Sequence, residues 1–469
     1  MTQSDIAYAS LTQQAEWIRT KVLSPVEILE VHLQRIQSLN PSLKAIVTLV
    51  DKSQERARKA EIAVMKGELW GPLHGVPFTA KDCFDTVGVR TTRGSQLFEH
   101  HIPTEDATAV SRLKQAGAIL LGKTNLPEFA LWSETSNEVF GQTVNPWDAE
   151  RTAGGSSGGE AAAVATGLSP LGIGTDLGGS NRLPSHYCGI VGFKPTQGRI
   201  PITGQFPAVM SRHLHVGPLT RRVRDAALAL SVLVGPDGRD TYAVPVPAPY
   251  PVPWNTALPA LKVGFFPEGP FAPVAKTIQD TLTKAAASLE EMGCQVQPVA
   301  LEGWKSSKPI EMVMSLLVAE AAHYFEPVVA GRKDQLAPSM QRLLDTPPPG
   351  IGEYVAALAG CEQLRVDLMK YFSTHDLLLL PTAPVTAHLH DAVSLDVNDQ
   401  AVPTVHAAGM TPAFGITGSP AISVPFGLSP EGLPIGVQLV GRHFEEATLL
   451  HAAAALESTA SLTTRRPLL

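Results

Sequence analysis

Strands and helices alternate along this chain, and the alternation limits which folds are open to it. The segment TEDATAVSRLKQAGAILLGKTN predicts a helix from about Asp106, a stop at Gly117 and a buried strand at 118–121. Residues 262–299 repeat the order of strand, helix, glycine stop and strand. Such alternation builds a mostly parallel or mixed sheet with helices on its faces. The sequence therefore predicts the α/β fold class.

The N-terminal part of the chain predicts a long helix with clear signals at both ends. In SPVE, residues 24–27, the serine is placed to cap the helix, the proline suits its first position and the glutamate completes a capping box. Apolar residues then recur at helical spacing, and Asn40 with Pro41 is predicted to end the run. We expect an amphipathic helix of about four turns.

The composition excludes several classes of protein. The chain has 469 residues, of which 44% are apolar and 17% charged, and this is typical of a folded chain with a large core. A formal charge of −7 without any block of lysine or arginine predicts no nucleic-acid partner. The N-terminus MTQSDIAYAS lacks a basic and apolar leader, and no apolar run of about eighteen residues occurs. We therefore expect a cytoplasmic protein without membrane contact.

The cysteines and histidines do not predict a metal site. The four cysteines have no CxxC spacing, so they indicate neither zinc nor a disulfide framework. Two HLH segments and one histidine pair occur without the further ligands that metal-dependent amidohydrolases need. These residues are Cys83, Cys188, Cys294, Cys361, His100, His101, His213, His215, His388 and His390. We expect no metal and no cofactor.

The stretch AGGSSGGEAAAVATG, residues 153–167, places a loop of glycine and serine before an alanine-rich helix. A phosphate-binding loop would continue with lysine and then serine or threonine, whereas Glu160 follows here. The pattern GxSxG fits with Ser156 or Ser157 as nucleophile, but such an elbow follows a strand, and VNPWDAERTA has no strand character. A helix start without chemistry stays open for the loop taken alone.

Two further segments add chemistry to that loop. Upstream, GVPFTAKD places Lys81 late in a short apolar segment, and downstream LGIGTDLGGSNR places Ser180 behind two glycines. The lysine segment, GGSSGG and GTDxGGS in this order, with Ser156 and Ser180 twenty-four residues apart, resemble the amidase signature family. The likeness extends from about Gly71 to about Glu457 and includes GPLHGVPFTAKD, FGQTVNPWD, YCGIVGFKPTQGRI and SPAISVPFGLSPEGLPIGVQLVGRH.

The resemblance implies a fold as well as a site. It implies one amidase domain over residues 1–469, with a single large mixed, twisted sheet flanked by helices on both faces. Within it we expect an N-terminal helical region at about 1–65, the signature core at about 71–240 and a variable substrate-pocket region at about 254–400. The proline-rich segment VPVPAPYPVP, residues 244–253, is expected to be a semi-rigid surface connection.

The resemblance implies a Ser-Ser-Lys triad, with Ser180 as nucleophile, Ser156 as proton-relaying bridge and Lys81 as base. A serine hydroxyl is a poor nucleophile until a base takes its proton. Lysine is a base only when neutral, and burial in a dry, positively biased pocket lowers its pKa. The family further implies a cis peptide between Gly155 and Ser156. We also expect Ser157 to hydrogen-bond the lysine.

The resemblance places an oxyanion hole in the segment that carries the nucleophile. Backbone N–H groups that point at the attacked carbonyl stabilise the negative oxygen that forms there. The groups implied are those of Leu177, Gly178, Gly179 and Ser180. Two of these residues are glycines, which leave the backbone open to the substrate.

Asp176 and Arg182 flank the implied nucleophile and, together with Ser157, are predicted to support it. Arg182 could contact an acidic substrate, but we favour an ion pair with Asp176, because charged groups near a core are rarely unpaired. Asn181 stands where the family commonly has a branched apolar residue. This predicts a more polar pocket wall, and it weakens any analogy to relatives with apolar substrate tunnels.

These residues predict an amidase that hydrolyses a carboxamide C–N bond to a carboxylate plus ammonia or an amine through an acyl-serine. A second interpretation is the glutaminase (A-type) subunit of a tRNA-dependent amidotransferase, which works with partner chains. Those subunits tend towards GGTSGGS, and GGSSGGE here favours a free-standing enzyme. A catalytically inactive binding protein on the same fold is a third interpretation. The expected partner is a small-molecule amide, and homo-oligomerisation is left open.

Overall fold

A mixed β-sheet runs through the part of the chain that the computed structural model describes, residues 1–248, 252, 254, 257–301, 304 and 307–467. The strands in chain order are β1 (Ile46–Leu49), β2 (Pro77–Lys81), β3 (Ile119–Thr124), β4 (Ser136–Asn137), β5 (Gly141–Gln142), β6 (Val144–Asn145), β7 (Asp148–Thr152), β8 (Leu171–Asp176), β9 (Val191–Lys194), β10 (His215–Thr220), β11 (Lys262–Phe265), β12 (Gln295–Pro298), β13 (Leu377–Pro381), β14 (Ser394–Asp396), β15 (Ala401–Pro403), β16 (Ala421–Leu428) and β17 (Pro434–Gly441). The α-helices are α1 (Gln3–Tyr8), α2 (Leu11–Arg19), α3 (Pro25–Leu43), α4 (Ser53–Met65), α5 (Thr108–Gln115), α6 (Gly158–Ala165), α7 (Arg182–Cys188), α8 (Val223–Leu233), α9 (Lys276–Glu291), α10 (Pro309–Val329), α11 (Pro338–Asp345), α12 (Ile351–Phe372), α13 (Pro412–Ile416) and α14 (Glu446–Thr459).

Eleven of these strands form the main sheet, in the order β1, β3, β2, β8, β10, β9, β16, β17, β13, β11 and β12. β2 runs parallel to both β3 and β8, and β11 runs parallel to both β12 and β13. Between these groups the strands pair antiparallel, from β8 to β13. The sheet is mixed, and the prediction of the α/β class is confirmed.

Helices cover both faces of the sheet. Leu377 and Leu379 of β13 pack into a core that includes residues of α8, α9 and α14. Leu378 and Leu380 belong to a second core, with residues of α10 and α12. Successive side chains of a strand point to opposite faces, so β13 is buried on both sides, as its unbroken leucine run indicates. The predicted placement of helices on both faces is confirmed.

The first long helix runs past its predicted end. α3 begins at Pro25 with the capping box at Ser24, as predicted, but it continues through Pro41 to Leu43. It stops at Lys44, whose φ of +51° is left-handed. Proline removes one backbone donor from the last turn, and so few residues follow it that little helical bonding is lost.

The helix and strand predicted between Asp106 and residue 121 lie slightly later in the chain than predicted. α5 begins at Thr108 rather than near Asp106, and β3 extends to Thr124 rather than ending at 121. The whole of β3 is buried. The region at 1–65 is mostly helical but also contributes β1, an unpredicted strand that pairs antiparallel with β3.

Two other predictions meet the structure only in part. Residues 249–251 and 253 of the proline-rich segment lie outside the described residues, so the predicted surface connection is not tested there. Among the residues that the structure describes, α10 is the one helix long and apolar enough to cross a membrane. Its residues Leu316, Ala321 and Phe325 are buried in the second core. A core helix passes the same test of length and composition.

The sheet brings the predicted catalytic segments to one edge. β2 and β8 are parallel neighbours, with Thr79 opposite Gly172. Their carboxyl ends therefore meet at the same edge, which is where open α/β sheets bind ligands. Lys81 ends β2, and Asp176 ends β8.

Candidate active site

Lys81 is the residue at which the predicted catalytic segments meet. Its side chain is fully buried, and its Nζ lies 2.7 Å from the Oγ of Ser156. The hydroxyls of Ser157 and Thr175 each lie 3.0 Å from the same Nζ. A lysine ammonium has three donors, so the charged form satisfies all three contacts. The neutral amine can accept a proton from one of these hydroxyls.

The backbone of the glycine-rich loop packs closely against neighbouring segments on its way to Lys81. Two of its positions have no room for a side chain. The Gly155–Ser156 peptide is cis, as the resemblance implies. A Cβ on Gly155 would come within 2.6 Å of the carbonyl carbon of Ser133. Gly154 has a φ of +79°, a conformation that residues with a Cβ rarely adopt. Both glycines are therefore required by the path of the loop.

The segment before this loop is a strand, and its prediction as a strandless turn is wrong. β7 covers Asp148–Thr152 and pairs with β6 in a two-stranded ribbon outside the main sheet. Most of its side chains are polar and at least partly exposed, so it lacks the apolar pattern of a core strand. A nucleophile elbow places its serine at the top of the central sheet, and β7 does not belong to that sheet.

Ser180 lies beside the loop on the neighbouring segment. Its carbonyl accepts a hydrogen bond of 3.1 Å from the backbone N–H of Ser157, and this bond ties the two serine segments together. Ser180 is half-buried, whereas Ser156 is buried. Of these two serines, Ser180 is therefore the one that solvent and substrate reach more readily.

The surroundings of Lys81 favour its neutral form through burial. Burial lowers the pKa of Lys81 to about 8, and the nearby Cys83, Asp176 and Glu160 act in the opposite direction. The prediction of a positively biased pocket is therefore wrong, because the ionisable groups that act on the amine raise its pKa. Loss of hydration alone disfavours the ammonium.

Asp176 and Arg182 form a buried ion pair next to the segment that carries Ser180. The Nε of Arg182 lies 3.0 Å from one carboxylate oxygen of Asp176, and its Nη2 lies 2.8 Å from the other. Its Nη1 donates to the carbonyl of Thr411 and to the Oε1 of Gln438. Burial pushes the pKa of Asp176 upward, but the guanidinium of Arg182 outweighs burial and holds that pKa below its usual range. Arg182 thus forms the predicted ion pair with Asp176, and all three of its guanidinium nitrogens are hydrogen-bonded within the chain.

Several backbone N–H groups in the segment 177–180 have no hydrogen-bond acceptor among the described residues. The N–H of Gly179 donates to the Oδ1 of Asp176 at 2.8 Å. The N–H groups of Leu177, Gly178 and Ser180 have no acceptor within the described part of the chain, and these three residues are half-buried. Of the four groups in the predicted oxyanion hole, these three are free to bind an oxyanion.

Asn181 is a hydrogen-bond partner of Ser157 in the interior of the protein. The prediction that it forms a polar pocket wall is wrong. Its side chain is fully buried, and its Oδ1 accepts a hydrogen bond of 3.1 Å from the Ser157 hydroxyl. A Cβ on Gly174 would overlap that Oδ1, and a Cβ on Gly217 would lie 3.0 Å from the Nδ2. The amide thus occupies the space that Gly174 and Gly217 leave over two paired strands, and it is closed off from solvent.

Two groups in this site, Thr175 and Gln438, are not predicted by the sequence motifs. Thr175 contacts Lys81. Its position next to Asp176 in the GTD motif is the one sequence feature that indicates a role in the site. Gln438 contacts Arg182 from β17, more than 250 residues away in the chain, and nothing in the sequence signalled that contact. Among the described residues, no group of three histidine, cysteine, aspartate or glutamate side chains is placed to hold a metal. The four cysteines are free and buried.

Comparison with known proteins gives the same family at the levels of sequence and structure. The family model described as Amidase matches residues 27–450. The A-type subunit of the glutamyl-tRNA(Gln) amidotransferase of Carboxydothermus hydrogenoformans is 36% identical, over 99% of each chain. A bacterial aryl acylamidase of the amidase signature family superposes with a TM-score of 0.90 at 28% identity, over 98% of this chain and 99% of the other. The corresponding A-type amidotransferase subunit of Thermotoga maritima superposes with a TM-score of 0.75 at 28% identity, over 97% and 96%.

These relatives overturn the prediction of no nucleic-acid partner. The name of the Carboxydothermus hydrogenoformans protein describes one subunit of an enzyme named for glutamyl-tRNA(Gln). Net charge indicates only whether a chain itself contacts many phosphates. One subunit of a larger assembly need not carry that contact itself, so a negative net charge does not exclude a nucleic acid from the assembly.

The matched region includes every segment of the candidate site, from Lys81 to Gln438. Both the sequence relative and the two superposed structures cover nearly the whole chain. The fold, the order of the catalytic segments and the comparisons therefore agree: the chain belongs to the amidase signature family, whose members are hydrolases acting on amide C–N bonds.

Proposed function

We propose that this chain hydrolyses a primary carboxamide through an acyl-serine on Ser180. The observation that carries the proposal is the 2.7 Å contact between the buried Nζ of Lys81 and the Oγ of Ser156. A buried amine with a lowered pKa, next to a hydroxyl, is the arrangement that a general base needs.

The proton moves along three residues in this mechanism. Neutral Lys81 takes the proton of Ser156, Ser156 takes that of Ser180, and the Ser180 oxygen forms a bond to the carbonyl carbon. The C–N bond then breaks while Ser156 passes a proton from Lys81 to the leaving nitrogen, so ammonia departs and Lys81 is neutral again. Water attacks the resulting ester by the same proton route and releases the carboxylate.

The free backbone donors stabilise the intermediate. The N–H groups of Leu177, Gly178 and Ser180 are available for the oxygen that becomes negative on attack. Each such donor contributes about 3 kcal/mol to the stability of the transition state. Asp176 holds the N–H of Gly179 and so shapes the turn that exposes the other three.

The amide that the relatives support best is glutamine. The Carboxydothermus hydrogenoformans protein is an A-type amidotransferase subunit, and a protein from Moorella thermoacetica that carries the same name is 35% identical over 99% of each chain. We propose that this chain serves as the A-type subunit of such an assembly and supplies ammonia from glutamine. In that role it works together with other subunits and a tRNA.

A free-standing amidase is the second candidate, and a specific observation favours it. The TM-score to the aryl acylamidase is 0.90, against 0.75 to the Thermotoga maritima amidotransferase chain, although identity to both is 28%. The chain is thus closer in shape to an enzyme named for aryl amides. The triad chemistry would be the same, and only the amide and the partners would differ.

Release of ammonia from glutamine separates the two candidates. The chain is assayed alone and after co-expression with the remaining amidotransferase subunits of its own organism, with Ser180→Ala as the matched control. Hydrolysis of glutamine that requires those subunits and Ser180 supports the subunit role. Hydrolysis of aryl amides by the chain alone, without glutaminase activity in the complex, supports the free-standing amidase.

We also propose that the chain is one domain. Six strands of the eleven-stranded sheet come from residues 46–220, and the other five come from residues 262–441. Neither part of the chain forms the sheet alone. The cytoplasmic location stays a prediction.

A further inference from the structure

We propose that Glu160 is a positioning residue for Lys81, and that its buried carboxyl governs how readily the amine gives up its proton. The inference rests on Lys81 acting as the base in the proposed function. Glu160 is the third residue of α6, directly after the catalytic loop, and it is fully buried. Glutamate is almost never fully buried unless it is paired, so its surroundings must provide a place for the carboxyl.

That place is built from β2 and β8. The Oγ1 of Thr79 donates a hydrogen bond of 2.6 Å to the Oε2 of Glu160. Gly172 stands opposite Thr79 on the neighbouring strand, and a Cβ on Gly172 would overlap the same Oε2. Side chains two residues apart on a strand share a face, so Thr79 holds the carboxyl on the face of β2 that carries Lys81.

Two other acidic groups near Lys81 carry no uncompensated negative charge. Asp176 is paired with Arg182 at 2.8 Å. Cys83 is a thiol whose pKa burial raises to about 11, so it is neutral near neutral pH. Glu160 is therefore the group whose ionisation changes the charge that Lys81 experiences.

Groups on the other elements packed against α6 do not replace this effect. Lys123 of β3 faces Glu160 but lies 3.3 Å from the Oδ1 of Asp82, which compensates it. The titratable groups on the packed elements are Lys81 on β2, Lys123 on β3, Asp176 on β8, His215 on β10, and Arg182, His186, Tyr187 and Cys188 on α7. Burial lowers the pKa of both histidines and raises the pKa of Tyr187 and Cys188, so these four are neutral near neutral pH.

The sign of the effect follows from electrostatics. An ionised Glu160 stabilises the ammonium of Lys81, because opposite charges attract strongly in a buried site. A protonated Glu160 loses that attraction, so Lys81 becomes neutral at lower pH. Burial raises the pKa of Glu160 to about 8, and burial lowers the pKa of Lys81 to about 8. Two neighbouring groups that titrate over one range share their protons as a pair.

The pH dependence of Ser180 labelling by a fluorophosphonate in Glu160→Gln tests the inference. Glutamine keeps the length of the side chain and an acceptor for Thr79 but removes the charge. The acid limb of such a profile reports the base of the free enzyme. We expect its midpoint to fall by about one pH unit. A purely structural role for Glu160 would lower the labelling rate by the same factor at every pH.

Two further variants keep the test decisive. Thr79→Val removes the hydroxyl that stabilises the ionised Glu160, so we expect a smaller shift in the same direction even if Glu160→Gln folds poorly. Glu457→Gln removes a buried glutamate on α14, whose pKa burial raises to about 7 and whose Oε1 accepts the N–H of Val223. This matched control should leave the midpoint unchanged.

The outcomes separate the inference from the function on which it rests. If the parent chain labels at Ser180 and Lys81→Met abolishes labelling, the base is established. An unchanged or raised midpoint in both Glu160→Gln and Thr79→Val would then overturn the role of Glu160. If the parent chain does not label, or labels equally without Lys81, the proposed function itself fails.

Discussion

The Nζ of Lys81 lies 2.7 Å from the Oγ of Ser156, and the side chain of Lys81 has no exposure to solvent. Ser156 belongs to a loop that follows a surface ribbon, and Lys81 ends a strand of the main sheet. The contact is made because β2 and β8 are parallel neighbours and the loop is joined to the segment after β8. The proposed base and its proposed relay are thus held by two different parts of the fold.

Replacement of Lys81 by methionine should remove catalysis without unfolding the chain. Methionine fills the buried volume of the lysine stem but carries no proton acceptor. Loss of a general base lowers kcat/KM by about 10²- to 10⁴-fold. The measurement is amide hydrolysis, with circular dichroism and thermal unfolding as controls for folding. Retention of more than about a tenth of the parent activity would exclude Lys81 as the base.

Thr175→Val should weaken catalysis moderately. The Thr175 hydroxyl lies 3.0 Å from the Nζ of Lys81, and valine keeps the shape while removing the oxygen. A hydrogen bond contributes about 0.5–1.5 kcal/mol, so we expect kcat/KM to fall by about 3- to 10-fold. Steady-state kinetics checks this result. Thr220→Val on β10 is the control, because it removes a buried hydroxyl that donates to the carbonyl of Arg222 and not to the amine. An equal loss there would show that general packing is responsible.

Gly174→Ala should displace Ser157 and Asn181. A Cβ at this position would overlap the Oδ1 of Asn181 and come within 2.7 Å of the Ser157 hydroxyl. We expect unfolding in urea to show a loss of about 1–3 kcal/mol, which is typical of overpacking in a core. Gly352→Ala on α12 is the matched control, because nothing lies within 4 Å of its added Cβ. Equal stability of the two variants would contradict the described packing.

The stability of the chain should fall with rising pH through Glu160. The pKa of Glu160 in the folded chain, about 8, lies above its ordinary value of 4.5. Between these values the folded chain keeps a proton that the unfolded chain releases, so the free energy of unfolding decreases as pH rises. In Glu160→Gln this contribution is absent. Urea unfolding at several pH values within that range should give a flatter dependence for the variant, and parallel curves would show that Glu160 keeps an ordinary pKa.

Much of the fold could be predicted because its elements carry local signals. The capping box at Ser24 and the leucine run of β13 are examples of such signals. The ribbon strand β7 escaped prediction because its residues are mostly polar and it lies in a two-stranded ribbon outside the main sheet. The continuation of α3 beyond Pro41 to Leu43 also depends on the rest of the chain, because proline by itself favours the end of a helix.

In the candidate site, too, some features could be predicted from the sequence and others depend on the packing of distant residues. Lys81, Ser156 and Ser180 could be named from their motifs, and the structure brings the segments that carry them together. The pattern around Asn181 predicts a pocket wall, because a sequence does not show which way a side chain points. Its inward direction depends on the space left by Gly174 and Gly217, two glycines on different strands.

The most direct test of the proposed triad is the mapping of a fluorophosphonate adduct by intact mass and peptide analysis, in the parent chain and in Lys81→Met. We predict one adduct, on Ser180, which is lost when the lysine is absent. An adduct on Ser156 or Ser157, or labelling of Ser180 at the parent rate without Lys81, would contradict the triad.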